Sequence, residues 1–104
     1  MPTTYRVIVT PAALEDLDGL TEYIKRDSPQ NALRVFNRLW QACQSLSTFP
    51  YRFAIRQNRR DASKTVRAIP VRPFIIYYRV DEKLRVVRVL TMRHGHQRQP
   101  RRFT

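Results

Sequence analysis

Phe74-Ile75-Ile76-Tyr77-Tyr78-Arg79-Val80 is apolar at both odd and even positions, with Arg79 the one exception. Successive side chains of a strand point to opposite faces, so this segment must be covered on both sides. It therefore predicts a central strand, with helices on one face and something else on the other. Working outward, Asp81-Glu82-Lys83 makes a hairpin turn into a further strand over residues 84–92. On the other side, Pro73 cannot donate to a ladder and so marks the turn from a strand over residues 65–71. Residues 51–64 show no clean period and are rich in Arg, with Tyr51 and Phe53 interleaved. They read as a loop.

Before that loop the period changes. Residues 5–9 are β-branched and alternate loosely, which predicts a strand. Thr10-Pro11 then has the form of an N-cap followed by proline at the first helical position. Ala13, Leu14, Leu17, Leu20, Thr21 and Ile24 recur at three and four residues and share one helix face. Glu15 and Asp16 come early in this helix, and Lys25 and Arg26 late, which suits the helix dipole. Ser28-Pro29 repeats the start signal for a second helix running to about Thr48. Its apolar stripe is Ala32, Val35, Phe36, Leu39, Cys43 and Leu46, and Phe49-Pro50 closes it. A link of only Asp27 and Ser28 makes the two helices an antiparallel hairpin. The expected fold is α+β: an antiparallel sheet with the helical hairpin packed on one face, in the order β-α-α-β-β-β. One domain spans residues 1–104, with Leu17, Phe36, Leu39 and Ile76 in its core. A basic tail without core pattern begins at about residue 93.

Charge is the strongest compositional signal. The 104 residues carry a net +12. Residues 1–51 hold five basic and five acidic side chains, whereas residues 52–104 hold fifteen basic and three acidic. The entire excess lies in the second half. A field of this strength implies a polyanionic partner, either nucleic acid or an acidic protein. The predominance of Arg over Lys favours forked contacts to phosphate or carboxylate. Cys43, the single cysteine, permits no internal disulfide and fits a reducing compartment. It falls on the buried stripe, as a small core residue. Residues 1–9 hold no apolar run of signal-peptide length, and no segment approaches the ~20 apolar residues of a membrane span. The expected location is cytoplasmic, without membrane contact.

Four stretches resemble the RelE/ParE toxin superfamily, and within it the ParE branch. These are Val9-Thr10-Pro11-Ala12-Ala13-Leu14-Glu15-Asp16-Leu17, Leu46-Ser47-Thr48-Phe49-Pro50, Pro73 through Val80, and Val89-Leu90-Thr91-Met92-Arg93-His94-Gly95-His96-Gln97-Arg98-Gln99-Pro100. The resemblance implies a type II toxin-antitoxin toxin that arrests growth and is neutralised by an acidic antitoxin laid across it. It also implies a target. ParE-type members poison DNA gyrase, while RelE-type members cleave mRNA on the ribosome, and the shared fold cannot choose between them.

Several residues are candidates for these roles. Arg88, Arg93, His94 and Arg98, supported by Arg56, Arg59 and Arg60, are expected to contact the target. Tyr77, Arg79 and Arg67 are expected to contact the antitoxin. The nuclease alternative needs an acid or base and phosphate-binding cations, for which His94, His96, Arg67, Arg79 and Arg93 are the candidates. No Tyr follows Arg93-His94, and a matched acid–base pair is not evident. Action by binding rather than catalysis is therefore expected, without a cofactor. His94-Gly95-His96 lacks a nearby Cys, Asp or Glu and makes a poor metal pair. A second alternative is direct nucleic-acid binding, with Arg52, Arg56, Arg59, Arg60 and Lys64 gripping phosphates beside Tyr51 and Phe53. No recognition-helix motif supports it, so DNA contact is expected only through a gyrase complex.

Overall fold

The computed structural model describes residues 4–103; Met1, Pro2, Thr3 and Thr104, at the ends of the expected domain and tail, lie outside the described residues. Strand β1 is Arg6–Val9 and helix α1 is Pro11–Lys25. The Thr10 hydroxyl caps α1 by accepting from the Ala13 N–H (3.3 Å) and donates to the Val89 carbonyl (2.7 Å). One side chain thus starts the helix and fastens it to the sheet. Helix α2, Pro29–Ser45, is capped in the same way by Ser28, which accepts from the Asn31 N–H at 3.2 Å.

Helix α2 stops three residues short of the expected Thr48. Phe49 precedes proline and takes a left-handed conformation with φ 48°. The α conformation is disfavoured before proline, and the chain tightens first. Ser47 N–H donates to the Gln44 carbonyl (3.1 Å) and Thr48 N–H to that of Ser45 (3.4 Å). A 3-10 turn, Pro50–Arg52, follows.

The expected loop then contributes a short strand, β2, Ile55–Gln57, and a second 3-10 turn, Ala62–Lys64. Strands β3 (Val66–Val71), β4 (Phe74–Asp81) and β5 (Val86–His94) complete a sheet of order β1-β5-β4-β3-β2. The expected α+β arrangement of a helical hairpin on a sheet is present, with two refinements. The sheet gains β2 as a fifth strand, and it is mixed, because β1 lies parallel to β5 while the other pairs are antiparallel. Strand β5 also starts later than expected. Leu84 is 60% exposed, and Arg85 is left-handed with φ 55°, so the turn after β4 extends through both.

Strand β4 is covered on both faces. Phe74, Ile76, Tyr78 and Val80 join Ala13, Leu17, Leu39, Cys43 and Leu46 in the core under the helices. Tyr77 joins Val66, Ala68 and Phe103 in a second core on the other face, with Ile75 and Leu90 packed against it. Leu17, Leu39 and Ile76 are buried as expected, whereas Phe36 is half-buried and stacks on Trp40 (centroids 6.1 Å apart) at the rim of α2. Leu14 is also exposed, off the buried α1 line of Ala13 and Leu17. Burial holds the Cys43 thiol neutral, its pKa pushed up to about 12.

These positions set an order of sensitivity. Leu39→Ala should destabilise the domain by about 2–5 kcal/mol. Phe36→Ala should cost less, although it removes more carbon, because its ring keeps solvent contact. Urea denaturation of both variants checks this, and an equal or larger loss at Phe36 would contradict the placement.

Candidate functional site

The side chains of β4 and β5 alternate, so one row of residues faces away from the helices. Arg79 on β4 lies directly across from Arg88 on β5, whose other neighbour is Ile8 of β1. Arg88 reaches the Asp81 carboxylate at 3.8 Å, and the Arg79 Nε–H donates to the Lys64 carbonyl at 3.2 Å. Burial and the nearby Arg59 both lower the Arg79 pKa. A guanidinium stays charged through such a shift, so like charges remain crowded on this face, and an anion placed there would relieve the repulsion.

Arg67 is not part of this row. It pairs with Tyr78 and shares the helix side. Its Nη1 donates to the carbonyls of Tyr51 (3.1 Å) and Phe53 (2.8 Å), and its guanidinium lies over the Tyr51 ring. Of the three residues expected at an antitoxin contact, Tyr77 and Arg79 therefore share a face and Arg67 does not. Tyr77 is moreover 2% exposed, beneath Phe103.

That cover comes from the tail, which has a core contact after all. Gly95 N–H donates to the Pro73 carbonyl at 2.6 Å, and a Cβ on Gly95 would meet that oxygen at 3.0 Å. Only glycine allows so close an approach without a shift. The chain then crosses toward β2. Gln99 Nε2 donates to the Arg56 carbonyl (3.4 Å), and Gln57 Nε2 to that of Arg101 (3.3 Å). Phe103 ends the crossing against the Tyr77 ring, centroids 5.0 Å apart. Fully burying a Phe is worth roughly 1.5–3 kcal/mol, more than two long hydrogen bonds, so Phe103 is the main fastening.

Strand alternation also separates Arg93 from His94. Arg93 pairs with Ile75 on the open face, whereas His94 pairs with Phe74 and meets its ring edge-on at 5.6 Å. His96 stacks on His94 at 4.7 Å, its N–H donating to His94 Nδ1 (3.2 Å). Arg79 lies five residues along β4 from Phe74, roughly 16 Å at 3.3 Å per residue. The nuclease candidates are thus divided between two faces, with His94, His96 stacked on it, and Arg67 on the helix side, and Arg79 and Arg93 on the other. Among the described residues, no group of three or more His, Cys, Asp or Glu could hold a metal ion. The expected target set is likewise dispersed. Arg88 is on the open face, Arg56 on edge strand β2, Arg59 and Arg60 in the turn after it, and Arg98 in the exposed tail.

Residues 7–99 match the family described as ParE toxin of type II toxin-antitoxin system, parDE. The chain belongs to this toxin family. It is 34% identical over 97 residues to Y4kP of Sinorhizobium fredii, which bears a toxin name, with 91% of this chain and 93% of that one covered. It is 36% identical over 91 residues to Toxin RelE2 of Caulobacter vibrioides, covering 86% and 94%. Among solved structures, a chromosomal ParDE system from P. aeruginosa shares the fold at TM-score 0.68 and 21% identity, covering 88% of this chain and 97% of that one. The RelBE2 toxin-antitoxin complex of Mycobacterium tuberculosis does so at TM-score 0.60 and 22% identity, covering 88% and 98%. The ParE-family chain therefore sits within the RelE/ParE superfamily fold.

A polar cluster that sequence reasoning missed fastens the opposite end of this toxin. The Glu82 carboxylate accepts from the hydroxyls of Tyr5 and Tyr51, each at 2.7 Å, and pairs with Arg85. These hydrogen bonds, with Tyr5 first and Tyr51 next, hold the Glu82 carboxyl below its ordinary pKa of 4.5. A depressed folded-state pKa contributes stability that is complete above the ordinary value and disappears as pH falls through the depressed one. Glu82→Gln keeps an acceptor but cannot titrate. Its melting temperature should therefore fall less than that of the parent between about pH 5 and pH 3. Parallel declines would show that Glu82 does not fasten the hairpin.

Proposed function

We propose that this ParE-family toxin inhibits DNA gyrase by binding it, and that an acidic antitoxin neutralises the toxin by covering the basic sheet face. The carrying observation is the concentration of charge in the second half of the chain, part of which lies on the open sheet face. The excess of +12 lies in residues 52–104, and Arg79 and Arg88 stand side by side on the sheet surface away from the helices. An antitoxin partner is supported by the solved relatives of this fold, which are toxin–antitoxin systems. The gyrase reading rests on the ParE family match and on the placement of Arg79 and Arg93 on the face opposite His94. The Arg88, Arg93, His94 and Arg98 group, with Arg56, Arg59 and Arg60, supplies the target contacts in this reading. DNA is met only through the gyrase complex, in the cytoplasm.

Ribosome-dependent mRNA cleavage is the second reading, favoured by the kinship to a protein named Toxin RelE2. In it His94 or His96 supplies the proton transfer and Arg67, Arg79 and Arg93 the phosphate contacts. Direct nucleic-acid binding has less support, because the helices lie flat on the sheet and offer no free recognition helix.

Gyrase supercoiling and ribosome-dependent mRNA cleavage by the purified protein separate these readings. The binding account expects supercoiling to be inhibited. Arg93→Ala should weaken that inhibition by about 2–5 kcal/mol if its partner is left buried and unpaired, and His94→Ala should matter less. Cleavage of mRNA with untouched supercoiling, abolished by His94→Ala or His96→Ala, would promote the nuclease reading.

A further inference from the structure

Strand β1 ends at Val9, so among the described residues the outer edge of β5 beyond Leu90 has no strand beside it. Helix α1 takes that place through Asp16. Its Oδ2 accepts from the Met92 N–H (3.1 Å) and from the Thr91 hydroxyl (2.5 Å). The register shifts at this point, between Tyr77 and Tyr78 on β4, leaving Leu90 as the extra residue of β5. Immediately after the Asp16 anchor comes Arg93.

A cleft of about 200 Å³ opens here, where α1, β5 and the returning tail meet. Asp16, Leu90, Thr91, Arg93, Arg102 and Phe103 form its walls. The Nε of Arg93 is buried and, among the described residues, has no hydrogen-bond partner. A buried donor without an acceptor is uncommon in a native structure and marks a place where an acceptor is missing. Asp16 does not fill that role: its Oδ2 accepts from β5, and no hydrogen bond or ion pair among the described residues joins its carboxylate to Arg93. Among the described residues, neither Arg93 nor Arg102 takes part in an ion pair.

We propose that this cleft receives a glutamate side chain of an acidic protein partner, its carboxylate held between Arg93 and Arg102. The idea rests on the reading above that the toxin acts through protein partners. The planar carboxylate matches a guanidinium fork. Leu90 and Phe103 supply apolar walls for the methylene stem. The volume suffices for a thin side chain and a few waters, each needing about 30 Å³. A phosphodiester is less well suited, since it is flanked by sugar rings and arrives on no thin stem. Asp16 is the positioning residue: it fixes the backbone of β5 so that Arg93 faces the cleft.

The test is an NMR titration of the full chain, following the Arg93 Nε–H signal, with hexaglutamate and separately with the oligonucleotide dT12. Hexaglutamate should shift that signal saturably, and dT12 should not. Arg102→Lys, followed by the same signal, and Arg93→Lys, followed by the Leu90 backbone amide, keep the charge but lose the fork, and each should weaken hexaglutamate binding about tenfold or more. Arg34→Lys, on the outside of α2, should stay within about twofold of the parent. An unmoved signal, an equal response to dT12, or lysine variants that bind like the parent would each overturn the proposal. Supercoiling assays on the same samples separate the two claims: a saturable site on a protein that leaves gyrase untouched keeps the cleft and removes the gyrase reading.

Discussion

Strand β4 must be covered on both faces, and the rest of the fold answers that constraint. Its even-numbered residues are buried by the helical hairpin. Its odd-numbered ones are buried only as far as the tail reaches, with Phe103 over Tyr77. Beyond that cover the same face passes from apolar Ile75 and Tyr77 to Arg79, and the neighbouring strand from Leu90 to Arg88. The open face is therefore half core and half charged surface. This boundary places a basic surface on rigid strands, where side chains are held more precisely than on a loop.

Both ends of the hairpin are secured to strand β5 and its turn. Thr10 binds the Val89 carbonyl and Asp16 binds Met92, so α1 continues an edge that β1 abandons. At the other end Glu82 gathers Tyr5 and Tyr51, drawing the start of β1 and the Pro50–Arg52 turn onto the β4–β5 connection. The Tyr78 hydroxyl donates to the Pro50 carbonyl from inside the core, fixing the same turn from below. Burial holds that phenol protonated, with its pKa raised to about 12, so the bond persists through the physiological range.

Much of this was legible in the sequence because the signals were local. Thr10-Pro11 and Ser28-Pro29 marked helix starts that the structure places at those residues. The twice-apolar strand pointed to a second cover, although nothing local identified Phe103 as that cover. Strand β2 escaped because three residues on an exposed edge need no period. The parallel pairing of β1 with β5 joins residues about eighty positions apart, beyond any local pattern. The face of Arg67 depended on register, and a one-residue slip reverses every side chain of a strand. For the candidate site, the sequence named Arg79, Arg88 and Arg93 from composition and resemblance. The last strand was expected to end at residue 92, so the alternation that turns Arg93 and His94 apart within β5 was missed, and nothing local showed that Asp16 and Arg102 meet Arg93 in one cleft.

The central claim is that the sheet face away from the helices is the working face of this toxin. Arginine footprinting with phenylglyoxal, on the toxin alone and bound to the product of its neighbouring reading frame, tests it most directly. The account predicts that Arg79 and Arg88 become protected in the complex while Arg34, on the outside of α2, reacts as before. Protection of Arg34 with Arg79 and Arg88 unchanged would put the partner on the helices and contradict the account.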